Sequence, residues 1–240
     1  MSAEASSIIR VYVWEWPVRA THWLIVLSIV TCTATGLYIG NPGLAFVGTW
    51  SGFTMGTAKV VHFYGAIVFT VSVVARVVWM FIGNNYARWD KFIPVHAKRR
   101  RGIMPTLRFY LFALRKPPGF VGHNPVAGLA YTIVFVLYGV MIVTGVALYS
   151  ASAAIGSPLH PFTFLIPWVG GLQTARWIHH VVMWLLLGFA VHHVYSGLLM
   201  TQIEANATME SIFSGFKFVP RDDLVYSGYR FIDRQDVPDA

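Results

Sequence analysis

The sequence predicts an all-α integral membrane protein, a bundle of four transmembrane helices, and three observations carry that prediction. Of 240 residues, 56% are hydrophobic and only 12% are charged, with a mean hydropathy of +0.58. A soluble domain of this length needs far more charge to face water. Four apolar runs, at 21–39, 58–82, 126–150 and 174–200, match the roughly 20 residues that a helix needs to cross a hydrocarbon core. The formal charge of +8 is also sorted by connection. Arg10 and Arg19 precede span one. Arg88, Lys91, Lys98, Arg99, Arg100, Arg101, Arg108, Arg115 and Lys116 lie between spans two and three, and Lys217, Arg221, Arg230 and Arg234 follow span four. Connections 40–56 and 151–171 carry no Lys, Arg, Asp or Glu. The positive-inside rule then puts both termini and the long loop 83–125 in the cytoplasm. Residues 1–203 read as the transmembrane domain and 204–240 as a polar cytoplasmic tail.

The basic run HAKRRR is explained by orientation and anionic headgroups, so nucleic acid is not an expected partner and membrane lipid is. The single cysteine, Cys32, lies in span one. One thiol makes no intramolecular disulfide, CxxCH attachment or iron-sulfur cluster. The chain start lacks a basic n-region and a short apolar core with a cleavage site, so span one reads as a retained anchor.

Trp14, Trp16 and Trp23 form an aromatic belt at the entry of span one, with His22 just inside it. An interfacial histidine bonded to a headgroup or carbonyl is the plain reading of His22 alone. Fourteen positions on, Gly36 falls on the same helix face, where a glycine leaves room for a large flat ligand. Span two opens with Lys59 and His62, followed by Gly65. The same interval from His62 reaches Arg76, either a snorkelling anchor or the counter-charge of a buried anion in a span without carboxylates. In TLRFYLFALRK, Leu107, Tyr110, Leu111 and Leu114 repeat at helical spacing and predict an interfacial amphipathic helix that Pro117, Pro118 and Gly119 stop. GHNP at 122–125 predicts a turn into span three. Gly128, Gly139 and Gly145 in that span read as packing positions.

Span four belongs to the stretch RWIHHVVMWLLLGFAVHHVY, which holds four of the nine histidines. Histidines at membrane depth need partners. His179 and His193 are 14 positions apart, which returns to within about 40° of one face and separates them by about 21 Å. His180 to His193, or His179 to His192, differ by about 140° around the helix. Alternating span direction brings His62 to the level of His179, and His22 to the level of His193. Two bis-imidazole sites at two depths suit haem iron, whose macrocycle a four-helix bundle can hold, and do not suit tetrahedral zinc. Arg19, Lys59 and Arg176 each stand three positions before a ligand, toward the nearer membrane face where haem propionates emerge. His180 and His192 read as neighbours of the ligands. The fold expectation thereby becomes a bundle enclosing two stacked haems held without cysteine.

In order, EWPVRATHWL, TGLYIG, VVHF, RVVWMFIGNNYAR, GHNP, TGVALYS, HHVVMWLLLGFAVHHVY and SGFKF resemble the b-type cytochrome subunit of membrane-bound nickel-iron hydrogenases, part of the di-haem, formate dehydrogenase gamma-like superfamily. The likeness covers nearly the whole chain. Thr21 departs from the aromatic usual there, and WIHHVV departs from the family's HxWHxLG. The resemblance implies two non-covalent haems b with ligands His22, His62, His179 and His193, and partners in the hydrogenase iron-sulfur (small) and nickel-iron (large) subunits. It further implies a bacterial inner-membrane location and electron transfer to a quinone. Such a subunit is an electron conduit that does not itself activate hydrogen. The spans hold no Asp or Glu, which argues against a proton relay through them. His123 and Asn124 are the expected quinone contacts, with helix-start architecture as the competing account. A cytochrome subunit of formate dehydrogenase or thiosulfate reductase shares the topology. A cofactor-free anchor or a transporter is the alternative from another class.

Overall fold

The computed structural model describes residues 8–42 and 54–220. Residues 43–53 of the first uncharged connection, and Arg221, Arg230 and Arg234, lie outside them. Strand β1 (Ile8–Tyr12) leads into α1 (Trp16–Gly40), and α2 (Thr54–Ile82) follows. Next come α3 (Ala97–Tyr110), α4 (Pro125–Ser150), α5 (Leu165–Trp168), α6 (Leu172–Glu204), α7 (Ser211–Ser214) and β2 (Phe216–Pro220). Helices α1, α2, α4 and α6 have 25, 29, 26 and 33 residues and are long and apolar enough to cross a membrane. They are the four spans expected from sequence, α4 longer by one residue and the others by four to six. Large apolar side chains along them stay exposed, among them Leu27 at 61%, Val71 at 63%, Ile133 at 62% and Val191 at 74%. Such apolar exteriors suit lipid as the solvent.

The helix limits follow local chemistry. Asn124 caps α4 by accepting the Ala127 N–H at 2.8 Å, and Pro125 opens the helix where no N–H is needed. Gly170 and Gly171, at φ 86° and 93°, make the left-handed turn that starts α6. Helix α3 differs from its expectation. It begins in the basic run and ends at Tyr110, so Leu114 lies beyond it. The reason is a Schellman ending, in which Phe112 N–H donates to the Phe109 carbonyl at 2.9 Å and Ala113 N–H to the Arg108 carbonyl at 2.8 Å. Phe112 takes the left-handed position at φ 59°.

The chain divides into two compact units. One comprises Met1–Ala20, Arg76–Val134 and Ala190–Ala240. Here β1 pairs antiparallel with β2, from Ile8 opposite Pro220 to Tyr12 opposite Phe216. Neither strand is expected from the sequence, which assigns no element before span one and reads 204–240 as a polar tail. Val11, Val13, Trp14, Val18, Ala87, Val121 and Val219 form a core cluster of this unit. Glu15 ties it together, since its carboxylate accepts the Trp79 indole N–H and the Asn84 backbone N–H, both at 2.8 Å. Asn84 in turn donates to the Val13 carbonyl at 3.1 Å. The EWPVR and WMFIGNN motifs thus meet as a structural clamp. The other unit comprises Thr21–Ala75 and Phe135–Phe189. It packs Phe63 on Tyr149 at 4.3 Å between ring centres and sets Phe69 edge-on to Tyr138 at 5.1 Å.

Candidate functional site

In the second unit, His62 of α2 and His179 of α6 face one another with ring centres 6.4 Å apart and planes at 53°. One iron bound by both rings, at about 2 Å per metal–nitrogen bond, needs about 6 Å between ring centres. The observed separation therefore fits a bis-histidine haem, and His62 and His179 are the residues that would hold it.

Both rings are tied from neighbouring helices. His62 Nδ1 lies 3.0 Å from Thr35 Oγ1 of α1, and His179 Nδ1 lies 2.9 Å from Thr144 Oγ1 of α4. Glycine seats adjoin both hydroxyls. A Cβ at Gly36 would stand 3.2 Å from His62 Cε1, and one at Gly145 would stand 3.4 Å from His179 Cε1. What lies over Gly36 is thus the imidazole of His62. Gly65 accommodates a different neighbour, the Cys32 sulfur, 2.9 Å from where its Cβ would be.

His193 belongs to the first unit, where its Nδ1 lies 3.1 Å from the Tyr131 hydroxyl of α4. His22 is half-buried on α1 within the second unit, edge-on to Trp23 at 5.3 Å. The doublet partners differ from these. His180 is exposed with Nδ1 2.8 Å from its own helix's Arg176 carbonyl, and His192 is exposed with Nε2 3.3 Å from Ser196 Oγ.

The cations expected to meet propionates have varied surroundings. Arg76 is buried, donates to the Ala87 carbonyl at 3.4 and 3.5 Å, and lies 5.3 Å from the Phe92 ring centre. Arg19 donates to the Phe213 carbonyl, Arg176 donates to Gln173 Oε1 at 2.6 Å, and Lys59 is exposed.

His123 packs among Trp14, Phe92 and Tyr131, with ring centres 4.8, 5.3 and 4.6 Å away. Arg99 holds its carbonyl at 3.0 Å. Its Nδ1 atom is shut off from solvent and meets no hydrogen-bond partner among the described residues. Burial, reinforced by Arg76, Lys217, Arg99 and His193, holds the imidazole well below the usual histidine range, so it is neutral at pH 7. Asn124 donates to the Tyr110 hydroxyl at 2.9 Å while capping α4.

The sequence reading missed Thr35, Thr144 and Tyr131. A signal for the two threonines exists in a repeated Thr-Gly dipeptide at 35–36 and 144–145. Tyr131 has no comparable mark.

The family model described as "Prokaryotic cytochrome b561" matches residues 13–215. A protein of Escherichia coli K12 named "Probable Ni/Fe-hydrogenase 1 B-type cytochrome subunit" is 34% identical over 223 residues, covering 90% of this chain and 94% of its own. Proteins named "Probable Ni/Fe-hydrogenase B-type cytochrome subunit" from Cupriavidus necator and Bradyrhizobium diazoefficiens are 34% and 36% identical, covering 90% and 85% of this chain and the same shares of their own. With four helices long and apolar enough to cross a membrane among the described residues, and a family match along most of its length, the chain belongs to the prokaryotic cytochrome b561 family of membrane electron-transfer proteins.

Proposed function

We propose that this chain is the membrane anchor and electron-transfer subunit of a nickel-iron hydrogenase, delivering electrons from the enzyme's iron-sulfur subunit on the outer face to a quinone at the cytoplasmic side. The observation that carries the reading is the facing His62 and His179 pair, with ring centres 6.4 Å apart and a hydroxyl behind each ring. The names of the relatives support the choice of partner. Haem b, when bound, supplies a one-electron carrier, and the protein's part is to hold and orient it and keep water away.

His62 and His179 hold the outer of two haems, and His22 and His193 hold the inner one. The second pair rests on the 14-residue interval in α6 and the alternating direction of the spans. Arg19, Lys59, Arg76 and Arg176 meet the propionates. The three arginines retain donors beyond those bonded to protein, because a guanidinium has five N–H groups. Both termini lie in the cytoplasm of a bacterial inner membrane, as the sorted charges support. The quinone site lies at His123 and Asn124. The enclosed, neutral His123, with Nδ1 unpartnered among the described residues, supports a polar contact to a quinone oxygen.

The purified protein is expected to give a reduced b-type spectrum with two haems per chain. His179→Ala should remove one and leave the other. A colourless wild-type protein, or a His179→Ala variant that keeps both haems, would overturn the assignment. Copurification with a nickel-containing rather than a molybdenum-containing partner tests the choice of complex.

A further inference from the structure

We propose that Thr35 and Thr144 are positioning residues that fix the tautomer of His62 and His179, so that each imidazole presents a bare Nε2 lone pair to iron. The inference rests on the bis-histidine reading and adds a proton assignment to it. A threonine hydroxyl has one proton and two acceptor lone pairs. In Thr35 that proton goes to the Thr31 carbonyl one turn back, at 2.7 Å, with the Cys32 carbonyl at 3.4 Å. In Thr144 it goes to the Val140 carbonyl at 2.8 Å, with the Met141 carbonyl at 3.2 Å. With their protons committed, Thr35 Oγ1 and Thr144 Oγ1 can only accept, so His62 Nδ1 and His179 Nδ1 must donate at 3.0 and 2.9 Å. A neutral imidazole that carries its proton on Nδ1 has none on Nε2, which is the state a metal requires.

The same device occurs twice. Thr35-Gly36 of α1 serves His62 of α2, and Thr144-Gly145 of α4 serves His179 of α6. In each dipeptide the threonine holds Nδ1 and the glycine admits the ring edge at Cε1. Thr144 is only 2% exposed, so water does not readily replace its hydroxyl. His193 has a different partner, a tyrosine phenol, and the two Thr-Gly dipeptides both serve the His62–His179 pair.

The test uses the full-length protein purified with its haems. Thr144→Val and Thr35→Val keep shape and remove the hydroxyl, whereas Thr144→Ser and Thr35→Ser keep it. Transfer of haem to excess apomyoglobin should quicken about 10- to 100-fold for one haem in each valine variant, in line with losses seen when partners of metal-bound histidines are removed. That haem's reduction potential should shift while the other's holds, and the serine variants should behave as wild type. Valine variants with wild-type transfer and potentials, or serine variants as impaired as valine, would overturn the proposal. Should the valine variants misfold, 15N-histidine NMR of the unsubstituted, haem-stripped chain decides instead: protonated Nδ1 in His62 and His179 is expected, and protonated Nε2 refutes it. A His179→Ala variant run alongside separates the two levels. If it loses one haem while Thr144→Val keeps both unchanged, the ligand assignment stands and the threonine assignment fails.

Discussion

At Phe112, a single residue carries a conformational cost with no visible packing return. It closes α3 from the left-handed region at φ 59° and is 95% exposed. For a non-glycine residue that conformation costs roughly 1–2 kcal/mol. A glycine there would cost roughly 0.5–1 kcal/mol in chain entropy instead. Phe112→Gly is therefore expected to raise the thermal midpoint in detergent slightly, by a net gain of up to about 1.5 kcal/mol. An unchanged or lower midpoint would show that the phenyl ring is stabilised by contacts of its own. Gly65 poses the opposite problem, because an alanine there would bring Cβ to 2.9 Å from Cys32 Sγ and 3.5 Å from Thr31 Cγ2. Overpacking of this kind costs about 1–3 kcal/mol. Gly65→Ala should destabilise the protein, and adding Cys32→Ala should recover most of the loss in the same thermal melt.

Among elements, α4 separates two kinds of glycine that its sequence does not distinguish. A Cβ at Gly128 would stand 2.5 Å from the Lys91 carbonyl oxygen and 3.0 Å from that of Phe92, both backbone atoms. At Gly139 it would meet nothing within 4 Å among the described residues. Gly128→Ala is expected to lower stability by about 1–3 kcal/mol, since backbone cannot swing aside. Gly139→Ala is expected to be neutral or to add up to about 1 kcal/mol of helix propensity. Equal effects of the two substitutions on urea or thermal unfolding would contradict this close approach of the loop to α4. Both read from sequence as packing positions, and the structure bears this out at Gly128 but not at Gly139; which glycine is in close contact depends on where 91–92 folds, and no local pattern carries that.

For the whole molecule, two buried bases outside the spans shape pH dependence. His123 is held well below its ordinary value of 6.5, first by burial and then by Arg76, Lys217, Arg99 and His193. The unfolded chain therefore binds a proton below about pH 6.5 that the folded one refuses, and stability falls as pH falls through that range. Lys217 is buried in β2, donates to Thr208 Oγ1 at 3.0 Å, and is lowered from 10.5 to about 8 by burial, which Glu204 partly opposes. Between those two values the unfolded state again holds more protons, so stability rises with pH. Denaturant unfolding across pH should show both slopes, and Lys217→Met should flatten the alkaline one. An alkaline slope that survives Lys217→Met would assign it elsewhere.

The sequence by itself determined the class of protein, the four spans, and the candidate histidines on them. These follow from chain-local quantities: hydropathy over about 20 residues, the sorting of Lys and Arg, and the 100° step that puts His179 and His193 on one face. Tertiary structure alone decided that β1 and β2 pair across more than 200 residues and that Glu15 joins Trp79 to Asn84. It also decided which hydroxyls stand behind His62, His179 and His193. A hydrogen bond between helices depends on rotation, depth and the side chain opposite, and none of these is fixed until the helices pack.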